Sequence, residues 1–404
     1  GVGGDRNVYF RKEGRTIHRS SHALLLDRSD IESDAPTAHD LFSALQGEDC
    51  LLYAHIGGRP ADVAYAHDPR LETAMEIHSA WGTFEWLMED CFKLGYRVGV
   101  VANSDGHKGR PGASYPGASD FGAYGGLTCF LMQALTRDAL FDCLKKRRHY
   151  ATTGERIHID LSVTSAAHFD FYEKDPLVEE SGAITRPQLQ MGDIARSSDD
   201  KVTVSFKVSA RAPIERVDVL NAMEVVATLK NPATRDAVGG RLRVLWRGAL
   251  TKGRGAKARW RGRARFHDCR ISRMKEINAW NPDRKLKREA DGSLTWDAVT
   301  AGNFGAFDVW LEEGPDARLD LETNHVKARI DLERIGVEDF VIPAGGLDLA
   351  IHLFRLPEVL DPVSLKADVE VALKQEADNP IWVRVTTEDG FQAWTSPVYL
   401  FRDL

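Results

Sequence analysis

The chain contains no apolar run near the ~18 residues that a membrane-spanning helix needs, so a helical membrane anchor is not expected. Cysteine is scarce: Cys50, Cys91, Cys129, Cys143 and Cys269 are odd in number, show no CxxC spacing and mostly lie inside apolar runs. That usage argues against a disulfide framework or a zinc knuckle, and it reads as reduced core residues of a cytoplasmic protein. Positive charge is not in excess either. With 53 Lys and Arg against 60 Asp and Glu, the net charge of -7 gives no global basic field to draw in nucleic acid or an anionic membrane. Any anion binding must be local. Residues 1–20 show no signal-peptide pattern, and there is no internal repeat or low-complexity tract. The opening GVGGDRNVYFRKEG has no initiator Met, enters a strand-like run almost at once, and reads as a segment of a longer protein.

What is present divides in two. Through residue 157, strand and helix signals alternate. NVYF, LLYAH, TAMEIHS, VGVVA, GLTCFLM and HYATT read as strands. APTAHDLFSAL, behind an Asp34-Ala-Pro start, TFEWLMEDCFKLG, stopped by Gly95, and TRDALFDCLKKRR read as helices. Such alternation predicts parallel βαβ units. From residue 158 to 404 the period changes to two. In KVTVSFKVSA, Val202, Val204, Phe206 and Val208 face one way and Thr203, Ser205 and Lys207 the other. This predicts one or two antiparallel β-sandwiches.

The chemistry gathers at strand ends. LLYA runs into His55, TAMEI carries Glu76 and ends at His78, and VGVVA runs into Asn-Ser-Asp105-Gly-His107. In parallel α/β architectures the C-terminal strand tips are where sites are built. His nitrogen and carboxylate oxygen together suit Zn, Mn or Fe, and an open site of that kind can turn water into hydroxide near neutral pH. Gly106 allows Asp105 and His107 a close approach. His55, Glu76, Asp105 and His107 are therefore the candidate metal ligands, with His78 either a ligand or a partner behind one. Each also has a plainer reading: a strand-end His bonded to a loop carbonyl, a solvated Glu, an Asp serving a Ser-Asp-Gly turn. His18, His22, His39 and His67 lie in polar contexts and read as surface residues.

These residues carry a resemblance. AHIGGRPAD, MEIHSAWGTFEW, VANSDGHKGRPG, GLTCFLMQALTRDALFDCLKKRRHYATTGERIHIDL and the closing WVRVTTEDGFQAWTSPVYLF resemble the DUF3604 family, related to the PHP (polymerase and histidinol phosphatase) superfamily of metal-dependent phosphoesterases. The resemblance implies an α/β plus β chain. Residues 1–157 would be the C-terminal part of a distorted, TIM-like βα barrel, and residues 158–404 an antiparallel β-sandwich region. It implies two or three divalent metals. His55 matches the mid-chain His ligand, Glu76 the variable His/Cys/Glu ligand, and Asp105 with His107 the closing Asp-x-His motif, the last two placed at the catalytic step. The superfamily's opening His-x-His is missing, and a complete barrel takes ~200–250 residues. The first strands are therefore expected from an upstream part of the same enzyme, and this segment alone should bind metal weakly.

Around the tips, Arg59, Lys108, Arg110 and His78 are candidates for holding a phosphate, Arg as a bidentate fork and Lys as a point charge. The glycine-rich GRPGASYPGASDFGAYGG has the length of an active-site cover. In ARWRGRARF, Arg259, Arg261, Arg263 and Arg265 line one strand face, and Trp246 and Trp260 invite a nucleic-acid reading. A charged face that discourages edge pairing is the favoured one. The expected function is a metal-dependent hydrolase, a phosphoesterase with a small-molecule phosphate-ester substrate. The alternatives are a non-catalytic binding protein and an amidohydrolase-like enzyme acting on carbon.

Overall fold

A computed structural model describes residues 1–56, 61–106, 123–230, 240–253, 257–279, 281 and 284–402. Strands make up 52% of it and three helices 8%, in several sheets of which none closes into a barrel. The expected βα barrel is therefore corrected. The first sheet begins with β1 (Asp5–Phe10). Helix α1 (Ala38–Ala44) follows, and its start is not the Asp34-Ala-Pro stretch: Thr37 and Asp40 close a reciprocal capping box. Next come β2 (Cys50–His55), β3 (Glu72–Ser79) and the short β4 (Gly82–Thr83), then α2 (Glu85–Lys93) and β5 (Gly99–Ala102). Strand β1 pairs antiparallel with β2, whereas β2 with β3, and β3 with β5, run parallel. The apolar stretches of β2, β3 and β5 are buried, as parallel strands covered on both faces require.

The parallel series stops at β5 for a definite reason. Among the described residues its outer edge meets side chains and no further strand. The Tyr399 hydroxyl accepts from Val98 N at 2.8 Å and donates to Val98 O at 2.7 Å. Val100 N donates to Ser396 Oγ at 3.1 Å, and the Val100 carbonyl accepts from His149 Nδ1 at 2.8 Å. The Thr128 hydroxyl accepts from Ala102 N at 3.0 Å and donates to Ala102 O at 2.8 Å. Every second residue of the edge is thus satisfied without a ladder. Gly99 makes the approach possible, since a Cβ there would lie 2.7 Å from His149 Cε1. The next strands, β6 (Leu127–Phe130) and β7 (His149–Thr152), flank helix α3 (Arg137–Lys145) yet pair antiparallel with each other. They belong to the following sheet.

That sheet has twelve strands, including the long β8 (His158–Tyr172), and an eight-stranded sheet follows it. The alternation read in residues 201–209 is realised: Val202, Val204, Phe206 and Val208 are buried in the first large core. The two sheets meet over ion pairs. Arg241 and Arg243, on the strand Arg241–Ala249, both clasp Asp308 of the eight-stranded sheet, Arg243 Nε lying 2.6 Å from Oδ1. Arg243 also pairs with Glu215, and Arg241 with Glu388 at 2.6 Å, both acids belonging to the twelve-stranded side. Burial alone would raise the Asp308 pKa, but Arg243 and Arg241 outweigh it and hold the carboxyl below its usual range. The five cysteines are free. Among the described residues, no helix is long and apolar enough to cross a membrane.

Two outcomes follow from the capped edge. Tyr399→Phe leaves the amide and carbonyl of Val98 without their buried partner, and should lower stability by about 1–3 kcal/mol in urea denaturation; a loss below about 0.5 kcal/mol would show that the edge does not need it. The second concerns acid. Burial presses the His149 pKa down to about 4 from an ordinary 6.5. The unfolded chain therefore takes up the proton first. The contribution of neutral His149 is complete above pH 6.5 and is lost as pH falls toward 4, by about 3 kcal/mol. Denaturation at neutral and acid pH should show a shallower loss in His149→Gln than in the parent.

Candidate functional site

Because β2, β3 and β5 are parallel neighbours, their C-terminal ends lie side by side, and the side chains there meet. His55, the last residue of β2, donates from Nδ1 to Glu76 Oε2 at 2.8 Å. The same oxygen accepts from the Ile56 amide at 3.0 Å, and Glu76 Oε1 accepts from Asn103 Nδ2 at 2.7 Å. Glu76 is wholly buried, so these donors are what keep a carboxylate tolerable there. The other imidazole nitrogen, Nε2, lies 4.0 Å from Asp105 Oδ2. Asp105 sits just beyond β5 with φ 42°, in the left-handed region that an L-residue adopts at a cost.

Burial would lower the His55 pKa, but the hydrogen bond and charge of Glu76, with Asp105 and Asp5 adding, hold it above the ordinary 6.5. Glu76 thus fixes which way the ring points, as carboxylates behind metal-binding histidines do. His55 Nε2 and the Asp105 carboxylate are left facing one another. Among the described residues no group of three His, Cys, Asp or Glu side chains is arranged to hold an ion. His107, Lys108, Arg110 and Arg59 lie outside the described residues, as does most of the glycine-rich stretch 109–126.

His78 does not join this cluster. A register shift in the β3–β5 pairing falls between Glu76 and His78, breaking the simple alternation that would put both side chains together. The buried imidazole of His78 bonds Thr83 Oγ1 at 2.9 Å through Nδ1 and the Tyr124 carbonyl at 2.8 Å through Nε2. Burial presses its pKa down to about 4. Both nitrogens are used internally, which makes His78 part of the scaffold in this arrangement.

Two histidines read as surface residues are not on the surface. His22 is 1% exposed and is held between two acids, Nδ1 on Asp34 and Nε2 3.0 Å from Asp30. The bond to Asp34 leads in raising its pKa. His67 has a buried side chain, bonds Glu72 at 2.7 Å and stacks on Tyr96 at 3.9 Å, while Glu72 also pairs with buried Arg6. The available signal was an acid further along the chain: Asp30 and Asp34, eight and twelve positions on, for His22, and Glu72, five on, for His67. His39 is exposed and His18 half-buried.

On the eight-stranded sheet, three of the four arginines of that face are ion-paired: Arg259 with Asp297, and Arg263 and Arg265 with Asp291. Trp246 and Trp260 are buried in the core of the eight-stranded sheet, so neither offers a surface for base stacking. A scan against protein-family models finds no match, and a search of curated proteins finds none either.

The site geometry makes Glu76→Gln informative. The change removes both a hydrogen-bond acceptor and a negative charge, so the His55 pKa should fall in metal-free protein, as followed by NMR titration. An unchanged value would show that Glu76 does not govern the ring.

Proposed function

We propose that the chain carries part of the centre of a divalent-metal-dependent hydrolase acting on phosphate esters. The observation that carries this reading is the convergence of His55 Nε2 and the Asp105 carboxylate, 4.0 Å apart, over three parallel strand tips. Resemblance to the DUF3604 and PHP proteins supports the same chemistry.

The residues fit a metal by donor type. One imidazole nitrogen and one carboxylate suit Zn, Mn or Fe, and His107, two positions beyond Asp105, is the third donor in this reading. Glu76 accepts the His55 Nδ1 proton and so leaves Nε2 as the free donor. Asp105 adds the negative charge that offsets a cation's field. Asn103 and the Ile56 amide keep Glu76 from turning toward the site. A bound divalent ion would polarise the phosphoryl oxygen and acidify a water. Arg59, Lys108 and Arg110, on the segments after β2 and β5, would neutralise charge developing on the phosphoryl group.

Asp105→Asn keeps size and removes charge. It should weaken Mn²⁺ or Zn²⁺ binding, measured by equilibrium dialysis, by at least about tenfold, and abolish hydrolysis of p-nitrophenyl phosphate while the melting temperature of metal-free protein barely moves. Undiminished metal binding would make Asp105 a turn residue and favour a non-catalytic binding protein. Turnover of amides or lactones in place of phosphate esters would move the chemistry to a carbon centre.

A further inference from the structure

Two tryptophans meet over glycines of the eight-stranded sheet. Trp246 stands opposite Gly305 in the strand register, and Trp296 opposite Gly262. Each indole lies across its glycine: a Cβ at Gly305 would fall 2.7 Å from Trp246 Nε1, and one at Gly262 would collide with the Trp296 ring. Reaching inward over these strands, the two indoles stack, with centroids 5.1 Å apart and planes inclined by 18°. Phe307 stands edge-on to Trp296 at 5.4 Å.

Trp246 and Trp296 are 5% and 6% exposed, and neither indole N–H has a hydrogen-bond partner. A buried tryptophan ordinarily finds one. Trp260 donates to Thr300 Oγ1 at 2.9 Å, Trp382 to the Ala222 carbonyl at 2.6 Å and Trp394 to Glu85 at 2.8 Å. A buried donor left without a partner costs about 1–3 kcal/mol, and here two stand together on the wall of one cavity. That cavity has a volume of about 40 Å³, room for roughly three waters, and Ala298, Phe304, Ala306 and Phe307 share its walls. Its other polar side chains are engaged. Asn278 Nδ2 donates to the carbonyls of Phe304 at 3.0 Å and Gly390 at 3.2 Å, Asn303 Oδ1 accepts from the Ala301 amide at 2.8 Å, and Asp297 pairs with Arg259. Among the described residues of this wall, the two indole N–H groups are the buried donors left over.

We propose that this cavity binds a small uncharged ring bearing a carbonyl or phenolic oxygen, which accepts from Trp246 Nε1 or Trp296 Nε1. The indoles are stacked on one another and laid across glycines, so a ligand meets their N–H groups and not open ring faces. Acceptor oxygen is what those donors lack. The apolar walls take the ring, and the small volume limits the occupant to one. Glu276 and Asp297 outnumber Arg284 among the lining charges, which disfavours a carboxylate. The site also continues inward. Asn278, Asn303 and Phe304 line a second, smaller cavity that reaches His78 and Tyr124, so the ring site backs onto the scaffold of β3 without depending on a metal at the strand tips.

The test is binding of 4-fluorophenol to the intact chain, followed by fluorine NMR, against 4-fluorotoluene, which has nearly the same shape and no oxygen. The phenol should bind saturably and at least about tenfold more tightly than the toluene, the margin that one hydrogen bond supplies. Trp296→Phe keeps a ring and removes a donor. Ala279→Trp, at an exposed position on the lining, fills the entrance while circular dichroism and melting match the parent. Each change should weaken phenol binding at least about tenfold, and Ala279→Trp carries the test alone if Trp296→Phe unsettles the core. Equal binding of the two probes, phenol binding undiminished in Ala279→Trp, or no saturation up to about 10 mM would overturn the proposal.

Discussion

The arrangement of the whole chain turns on how the outer edge of β5 is satisfied. A parallel sheet that ends on an open edge invites another strand, and the barrel expected from the strand-helix alternation would supply one. Here three hydroxyls and an imidazole, from Thr128, Ser396, Tyr399 and His149, take the place of that strand. The substitution has two effects. It ends the parallel series after β2, β3 and β5, which leaves the three tips carrying His55, Glu76 and Asp105 together at one margin. It also joins the parallel sheet to the twelve-stranded one by specific bonds, so Trp382 and Trp394 of the latter share a core with Met75, Ile77 and Val100 of the former.

The same logic repeats where other parts meet. Glu85, first residue of α2, lies 2.9 Å from Arg384 and accepts from Trp394 Nε1 at 2.8 Å, and Arg384 reaches on to Asp218 at 2.8 Å. Arg97 bonds both Asp175 and Asp378 at 2.7 Å. Arg241 and Arg243 do this between the large sheets. Buried ion pairs contribute little net stability compared with apolar packing of the same volume, but they are costly to break, and a fork of fixed donors admits few alternative dockings. Registration of the layers is their evident role.

Much of the local structure was legible. The three helices, the strand tips and the period-two alternation rest on patterns within a dozen residues. The αβ order was legible too, but not its direction: β6 and β7 carry the same apolar signature whether they extend a parallel sheet or fold as an antiparallel pair. What decides between those outcomes is a tyrosine 301 positions from its partner. The site was legible as strand ends and ambiguous in detail. Spacing alone placed His78 with Glu76, and the register shift between them was not encoded in alternation. Likewise the burial of His22 and His67 depends on loops that bring acids back against them.

The reach of the Tyr399 hydroxyl to Val98 carries a consequence for synthesis. On the ribosome, at roughly 5–20 residues per second, about 15–60 s separate the appearance of Val98 from that of the side chain that completes it. Through that interval the nascent parallel sheet has β2 and β3 in hand but an unsealed margin at β5. That margin stays open to pairing with a neighbouring nascent chain on the same message until the segment holding Ser396 and Tyr399 has been made.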